Sequence, residues 1–143
     1  MADEMLALGR AVLAAQPFSV LMGAELPLYA PGQVELTLKL RPEHAQQFGF
    51  VHGGVIGFMA DNGISFAGGS VLGPDVLTAE YKINYVRPGV GESLVARGSV
   101  VASSSRQAVC RCDVFAVHDG QERLCATAQG TMVKRAERGA LEQ

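Results

Sequence analysis

One stretch of the chain, residues 49–69, constrains the fold more than any other. Its second half carries apolar side chains on nearly every side of a helix, namely Val55, Ile56, Phe58, Met59, Ala60, Ile64, Phe66 and Ala67. A helix that is apolar almost all round is buried inside a protein. The sequence therefore predicts one long central helix with the rest of the chain packed around it.

The same helix contains a carboxylate in an otherwise apolar setting. Asp61 lies near its middle, and desolvating a charged side chain is costly unless the group is paired or its pKa shifts. Small residues share its face at helical spacing, namely Gly54, Gly57, Ser65 and Gly68. We interpret this stripe as the floor of an active site, and the alternative is a structural aspartate that accepts hydrogen bonds from a turn.

Glycines are unusually frequent in this helix. They stand at Gly54, Gly57, Gly63 and Gly68. Each costs a helix about 1 kcal/mol relative to alanine, so we expect another group to approach the backbone closely there. The pair Gly68-Gly69 is predicted to end the helix.

Composition limits the class of protein. The 143 residues are enough for one domain and too few for two, so we expect a single domain over residues 1–143. A net charge of −2 without a basic run argues against nucleic acid as a partner. No apolar stretch is predicted to span a membrane. The acidic start of the chain lacks the basic region of a secretory signal, which predicts a cytoplasmic protein.

The three cysteines are expected to be reduced and packed. Cys110 and Cys112 flank a single residue, so both thiols point to the same side of a strand. A metal site built from these two, Cys125 and a histidine is the alternative, but Cys-x-x-Cys spacing is absent. We expect no metal and no cofactor. His44 and His118 fall in predicted loops and give no further signal.

Elements on both sides of the central helix follow from periodicity and turn residues. We expect a helix over Ala2–Ala15 ended by Pro17, so that residues 1–16 form an N-terminal helix, and an irregular connector over 18–22. A polar loop is predicted over 41–47, and a flexible tail over 136–143. The predicted strands cover residues 24–30, 33–40, 76–86, 93–102, 107–117 and 123–134. Strands joined by short turns around one helix indicate an α+β fold in which an antiparallel sheet wraps the helix.

Two motifs carry a resemblance to a known family. Gly49-x-x-His52-Gly53-Gly54, followed after six residues by Asp61, resembles the signature of hotdog-fold acyl-CoA thioesterases of the PaaI branch, named for phenylacetic acid degradation. The stretch over residues 84–88, Asn-Tyr-Val-Arg-Pro, with Gly91 after it, is similar to the family's strand after the helix. The resemblance covers about residues 21–134 and implies the hotdog fold.

The resemblance also implies an activity, hydrolysis of a medium-chain or aromatic acyl-CoA. Asp61 would act as general base or as nucleophile, and the two roles stay open. The Gly53 N–H would polarise the thioester carbonyl, and Ser65 would hold the water or the carboxylate, with back-bonding within the helix as its alternative. The family usually has Asn six residues before the motif histidine. Gln46 stands there and is expected to donate to the carbonyl, and His52 either caps the helix or contacts substrate.

The substrate-binding residues implied for this chain are Gly54, Phe48, Phe58, Arg87 and Arg106. Both arginines are candidates for the phosphates of coenzyme A. The acyl pocket is expected to be lined by Phe18, Leu21, Met22, Phe48 and Phe58. Family members share their active site between subunits, so a homodimer or homotetramer is implied, and sheet edges that need covering favour the same.

Two other functions stay open on the same fold. A hotdog dehydratase or hydratase would use a histidine as acid and base, and no histidine follows Asp61 within the helix. A non-catalytic acyl-CoA-binding module would use the pocket without needing the aspartate. A Ser-His-Asp triad is unsupported, because no Gly-x-Ser-x-Gly motif occurs.

Overall fold

The computed structural model describes residues 2–136. Its helices are α1 (Ala2–Ala14), α2 (Pro17–Met22) and α3 (Gly53–Leu72), with a short 3₁₀ turn at Pro42–His44. Its strands are β1 (Ala24–Ala30), β2 (Gln33–Lys39), β3 (Val76–Tyr85), β4 (Ser93–Ser103), β5 (Gln107–His118) and β6 (Gln121–Lys134). Apart from Ala136, the tail predicted over 136–143 lies outside the described residues.

All six strands form one antiparallel sheet in the order β1-β2-β4-β5-β6-β3. The sheet curves around α3, whose Met59, Ala60, Ile64 and Ala67 are fully buried. The alternating burial of β2, with Val34, Leu36 and Leu38 facing inward, shows how each strand turns one face to the helix. The predicted α+β architecture, an antiparallel sheet around one long helix, is confirmed.

Two glycines of α3 allow the sheet to approach the helix closely. A Cβ on Gly63 would overlap Cys112 Sγ, and a Cβ on Gly68 would lie 2.6 Å from Met132 Cγ. At these two positions, the glycines therefore make room for inward-facing side chains of the sheet. The sequence places Gly68 in the active-site stripe, and this contact assigns it to packing instead.

The ends of two helices differ from the prediction. The predicted irregular connector after Pro17 is the helix α2, closed by Gly23, whose φ of +89° suits the left-handed C-cap position. The predicted stop at Gly68-Gly69 is wrong, because α3 continues to Leu72 and ends at Gly73. Both glycines lie inside the helix, at positions where strands of the sheet come close to the helix backbone.

By length and composition alone, α3 could cross a membrane, although the sequence predicts no such stretch. It contains 20 residues and one carboxylate, and 67% of its most apolar window is buried inside the protein. A mostly buried helix of this kind is what the core of a sheet-wrapped fold requires.

The three thiols lie in the buried layer between α3 and the sheet, as predicted for packed, reduced cysteines. Burial raises the pKa of Cys110 to about 11 and that of Cys112 to about 12. Burial likewise raises the pKa of Cys125 to about 11. These thiols are therefore protonated and lie in apolar surroundings, which makes them poor nucleophiles.

Candidate active site

The N-terminus of α3 presents one unoccupied backbone donor. His52 is the N-cap, and its Nδ1 accepts a hydrogen bond of 2.8 Å from the Gly54 N–H. The Val55 N–H is bonded to the His52 carbonyl at 2.9 Å. Within residues 2–136, the Gly53 N–H has no hydrogen-bond acceptor. A free N–H at the positive end of a helix dipole is suited to hold a developing oxyanion.

Strand β3 runs alongside this end of the helix and covers it with tyrosines. The Tyr85 hydroxyl donates a 2.9 Å hydrogen bond to the Gly53 carbonyl. A Cβ on Gly57 would lie 3.4 Å from the hydroxyls of both Tyr81 and Tyr85. Burial, and after it the negative charge of Asp61, raises the pKa of Tyr81. A phenol is protonated at neutral pH, so the Tyr81 hydroxyl can donate a hydrogen bond.

Asp61 is held by a threonine of the same strand. Thr78 Oγ1 donates to Asp61 Oδ1 over 2.8 Å, and Ser65 Oγ lies 3.1 Å from Thr78 Oγ1. Ser65 thus contacts Thr78, the residue that orients the carboxylate. In the back-bonding alternative, its partner would instead be a carbonyl group of the helix. All three residues are half-buried, so the carboxylate is positioned by the protein and still reachable.

Gln46 brings a second donor to the helix N-terminus. Its Oε1 accepts hydrogen bonds from the N–H groups of Phe48, at 2.6 Å, and Phe50, at 3.2 Å. Its amide nitrogen is thereby left as the donor. Gln46 lines a cavity of about 340 Å³ together with Gly53 and Arg87. Three residues singled out from the sequence therefore meet at one opening, which we call the Gly53 cavity.

Other predicted residues lie apart from this opening. The Arg106 carbonyl accepts from Lys134 at one end of β6, whereas the Arg87 N–H is bonded to Cys125 near the other end. Nine residues of strand separate these contacts by about 30 Å. Within one chain, the two arginines are therefore not brought together.

The residues predicted to line an acyl pocket are mostly open to solvent. The exposed fractions are 57% for Phe18, 65% for Leu21 and 74% for Phe48. Phe58 is half-buried, and its ring makes an edge-to-face contact with Phe18 at 5.3 Å between centroids. Met22 packs against the core. None of these five residues lines the Gly53 cavity.

The sequence reasoning missed Thr78 and His44. A lone threonine in a strand carries no signal of its own, since its partner Asp61 lies 17 residues away in the chain. His44 falls in a predicted loop, but it is 3% exposed. Its Nδ1 accepts from the Arg41 N–H at 3.0 Å, and its Nε2 lies 3.1 Å from the Met22 carbonyl. These bonds anchor the loop that leads to Gln46.

One group among residues 2–136 has ligand atoms close enough for a metal ion. It consists of Glu92, His118 and Asp119, all of them exposed. His118 Nδ1 lies 3.3 Å from Glu92 Oε1, and its Nε2 lies 3.4 Å from Asp119 Oδ2. The two carboxylates thus contact the two nitrogens of the imidazole at the protein surface.

Spacing along α3 limits what one chain can do. Gly53 and Asp61 are eight residues apart, which is about 12 Å of helix. A hydrogen bond to a carbonyl oxygen spans about 3 Å, so one thioester cannot contact the Gly53 N–H and the Asp61 carboxylate of the same chain. The carboxylate and the free N–H are both present in one chain, but too far apart to contact the same thioester.

Comparison with known proteins points to one family. The sequence profile of the thioesterase superfamily matches residues 48–123. A thioesterase family protein from Silicibacter pomeroyi has a similar structure, with a TM-score of 0.84 and 32% identity over 87% of this chain and 93% of that chain. A comparison with curated proteins gave no match.

Two proteins of the phenylacetic acid branch are also similar. A mutant of the phenylacetic acid degradation protein PaaI from Thermus thermophilus has a TM-score of 0.73 and 30% identity, over 84% of this chain and all (100%) of that chain. The PaaI protein of the E. coli phenylacetic acid degradation operon has a TM-score of 0.81 at 16% identity, over 94% and 96% of the two chains, and shares the fold alone. The hotdog fold and the PaaI-like resemblance are confirmed.

Proposed function

The chain belongs to the thioesterase superfamily, and we propose that it hydrolyses medium-chain or aromatic acyl-CoA thioesters. The observation that carries this proposal is the carboxylate of Asp61, half-buried on an apolar helix and held at 2.8 Å by Thr78. A positioned carboxylate and an unoccupied N–H are the two groups that thioester hydrolysis requires.

The proposed reaction uses only groups of this protein and water. Asp61 takes a proton from water, whose oxygen attacks the thioester carbonyl carbon. The carbonyl oxygen becomes an oxyanion that accepts from the Gly53 N–H. When the tetrahedral intermediate collapses, the C–S bond breaks, coenzyme A leaves as the thiolate and takes the proton held by Asp61, and the free acid remains. In the alternative, an Asp61 oxygen attacks the carbonyl carbon, the C–S bond breaks and coenzyme A leaves as the thiolate, and water then hydrolyses the anhydride to the free acid and the Asp61 carboxylate.

Two copies of the chain are needed to assemble this site. Because about 12 Å of helix separates Gly53 from Asp61, we propose that each site combines the Gly53 N–H of one subunit with the Asp61 carboxylate of another. Strand β3 is an edge of the sheet. It exposes apolar side chains at Leu77 and Tyr85, 54% and 53% exposed. An unpaired apolar edge of this kind favours a homodimer or a larger homo-oligomer.

Coenzyme A is proposed to bind at the Gly53 cavity. Gln46 offers its amide nitrogen to the carbonyl, and Arg87 offers a guanidinium to the phosphates. Gly54 and Phe48 flank the same N-terminus and remain candidates for contact with the pantetheine arm. Arg106 lies at the far end of the sheet and reaches this coenzyme only if it belongs to another subunit. His52 acts by capping the helix that carries the donor.

The test is thiol release from short, medium, long and aromatic acyl-CoAs, measured for the parent, Asp61→Asn and Asp61→Ala. We expect turnover by the parent and its loss in both variants. Asp113→Asn is the matched control, because Asp113 also accepts from a threonine, Thr127 at 2.6 Å, but lies on the sheet away from the site.

Each pattern of results decides between functions. Loss of turnover in both Asp61 variants, with Asp113→Asn active, supports the thioesterase. A parent that binds acyl-CoA without releasing thiol is a binding module, and the proposal is then wrong. Full activity in folded Asp61→Asn would place the catalytic group elsewhere.

A further inference from the structure

A second cavity, of about 400 Å³, lies between α1 and α3, and we call it the α1–α3 cavity. Its walls are apolar side chains from three elements, including Leu8 and Val12 of α1, Phe66 of α3 and Val76 of β3. Pockets for small molecules usually start near 300 Å³ and are mostly apolar. The cavity therefore has the size and surface for a small apolar group, but not for a whole coenzyme.

Ser65 connects this cavity to the proposed catalytic carboxylate. Its side chain lines the cavity, and its Oγ lies 3.1 Å from Thr78 Oγ1, which donates to Asp61. The cavity wall and the carboxylate are thus two hydrogen bonds apart. Ser65 is thus the cavity residue through which an acyl group with its carbonyl carbon at Asp61 would enter the α1–α3 cavity.

The two amide side chains in the cavity wall are linked through Ser19. Asn62 Nδ2 donates to Ser19 Oγ at 3.2 Å, and Ser19 Oγ donates to Gln16 Oε1 at 2.6 Å. Asn62 and Gln16 both line the cavity. Because both amides are engaged through Ser19 and most of the wall is apolar, apolar contact is the main source of affinity for a ligand there.

A glycine keeps the cavity open. A Cβ on Gly69 would lie 3.4 Å from Tyr29 Oη and 3.8 Å from Val76 Cγ2, and all three residues line the cavity. A methyl group at this position would fit the backbone and narrow the space. The volume thus depends on the absence of a side chain at residue 69.

We propose that the α1–α3 cavity binds the acyl chain, and that the preferred chain is apolar and of medium length. This proposal rests on the proposed function for the position of the carbonyl group at Asp61. It assigns acyl selectivity to α1, a helix outside the motif that carries the chemistry. It differs from the pocket expected from the sequence, which included Phe18, Leu21 and Phe48.

The test measures binding of S-alkyl-CoA thioethers, which cannot be hydrolysed, with butyl, hexyl and octyl chains. For the parent we expect Kd to fall by about fourfold for each added methylene, the value of a fully buried CH₂. Val12→Trp fills the cavity, so the ratio of the butyl to the octyl Kd should drop at least tenfold. Gly69→Ala should lower the same ratio by a smaller factor.

Ala7→Trp is the matched control, because Ala7 is exposed on the same helix and does not line the cavity. It should keep the chain-length dependence of the parent. If Val12→Trp and Gly69→Ala also keep it, the acyl chain lies elsewhere and the inference is wrong. Failure of the proposed function would give a different result. The parent would release no thiol from acyl-CoA, but its binding of thioethers would still depend on chain length and on Val12.

Discussion

The two sides of α3 use the same residue type for different purposes. On the sheet side, Gly63 and Gly68 face Cys112 and Met132, so that apolar side chains of the sheet contact the helix backbone. Everything in this region is closed and buried. Glycine there is a packing residue, and its removal is expected to lower stability.

On the β3 side, the neighbours of the helix are hydroxyl groups. Tyr85 Oη lies near both Gly53 and Gly57, and Thr78 Oγ1 bonds to Asp61. This side is only partly buried. Small residues on a buried helix therefore indicate a site only where polar groups, and not core side chains, come close to them. Substitutions on the two sides should therefore separate activity from stability.

The largest effect is expected from removing the free donor on the β3 side. Gly53→Pro deletes the N–H, and proline is tolerated at the first position of a helix. His52, with φ −59° and ψ 134°, already has the extended conformation that precedes proline. We expect kcat to fall by about 10²- to 10³-fold, the usual cost of one oxyanion donor.

Gly53→Ala is the control for that substitution. It keeps the N–H, and its Cβ would make ordinary contacts of 3.6 Å with the Tyr85 ring. Steady-state kinetics should find it close to the parent. Equal losses in Gly53→Ala and Gly53→Pro would show that the backbone donor is not used.

The next largest effect is expected from Thr78. Thr78→Val keeps the shape of the side chain and deletes the donor to Asp61, and a hydrogen bond to a charged group is worth about 1.5–3 kcal/mol. If the transition state loses this hydrogen-bond energy, kcat should fall roughly 10- to 150-fold. Thr78→Ser should retain most activity. Thr127→Val, which deletes the corresponding bond to Asp113, should leave kcat unchanged.

On the sheet side, the effect is on stability. Gly63→Ala places a methyl group against Cys112 Sγ, and overpacking of this kind costs about 1–3 kcal/mol of unfolding free energy. Adding Cys112→Ala removes the sulfur and leaves its Cβ at 3.4 Å, so most of the loss should be recovered. Denaturant unfolding of the parent, both single variants and the double variant measures this. A double variant no more stable than Gly63→Ala would contradict the packing explanation.

The smallest effect concerns the buried thiols and appears only at high pH. Burial raises the pKa of Cys110 from its ordinary value of 9.0 to about 11. Its contribution to stability is full below pH 9 and is lost as pH rises through 11, because only the unfolded chain ionises in between. Relative to Cys110→Ala, the parent should lose about 1 kcal/mol more between pH 9 and 10. Parallel curves would show that this thiol does not titrate differently on folding.

Most of the fold could be predicted from periodicity, since the alternation of β2 and the all-round apolar pattern of α3 each allow one burial pattern. The helix α2 was missed because its six residues, which begin with a proline, are too few for a periodic signal. The end of α3 was placed too early because a glycine pair is a common stop, and the sequence does not show which strand will contact those glycines.

The candidate site was predictable only where one motif contains it. Gly53 and Asp61 lie on one helix and share a face. Thr78, in contrast, reaches Asp61 only after the chain has turned back along the helix. The α1–α3 cavity depends on how α1 packs on β1 beside α3, which no local pattern encodes.

The central claim, a site that joins the Gly53 N–H of one subunit to Asp61 of another, is tested most directly by mixing two inactive variants. Asp61→Asn and Gly53→Pro, each inactive alone, are co-folded in equal amounts with different affinity tags. Half of the dimers are then mixed, and each mixed dimer contains one intact site, so about a quarter of the parent's thiol release should return. No recovery in purified mixed dimers would contradict a shared site.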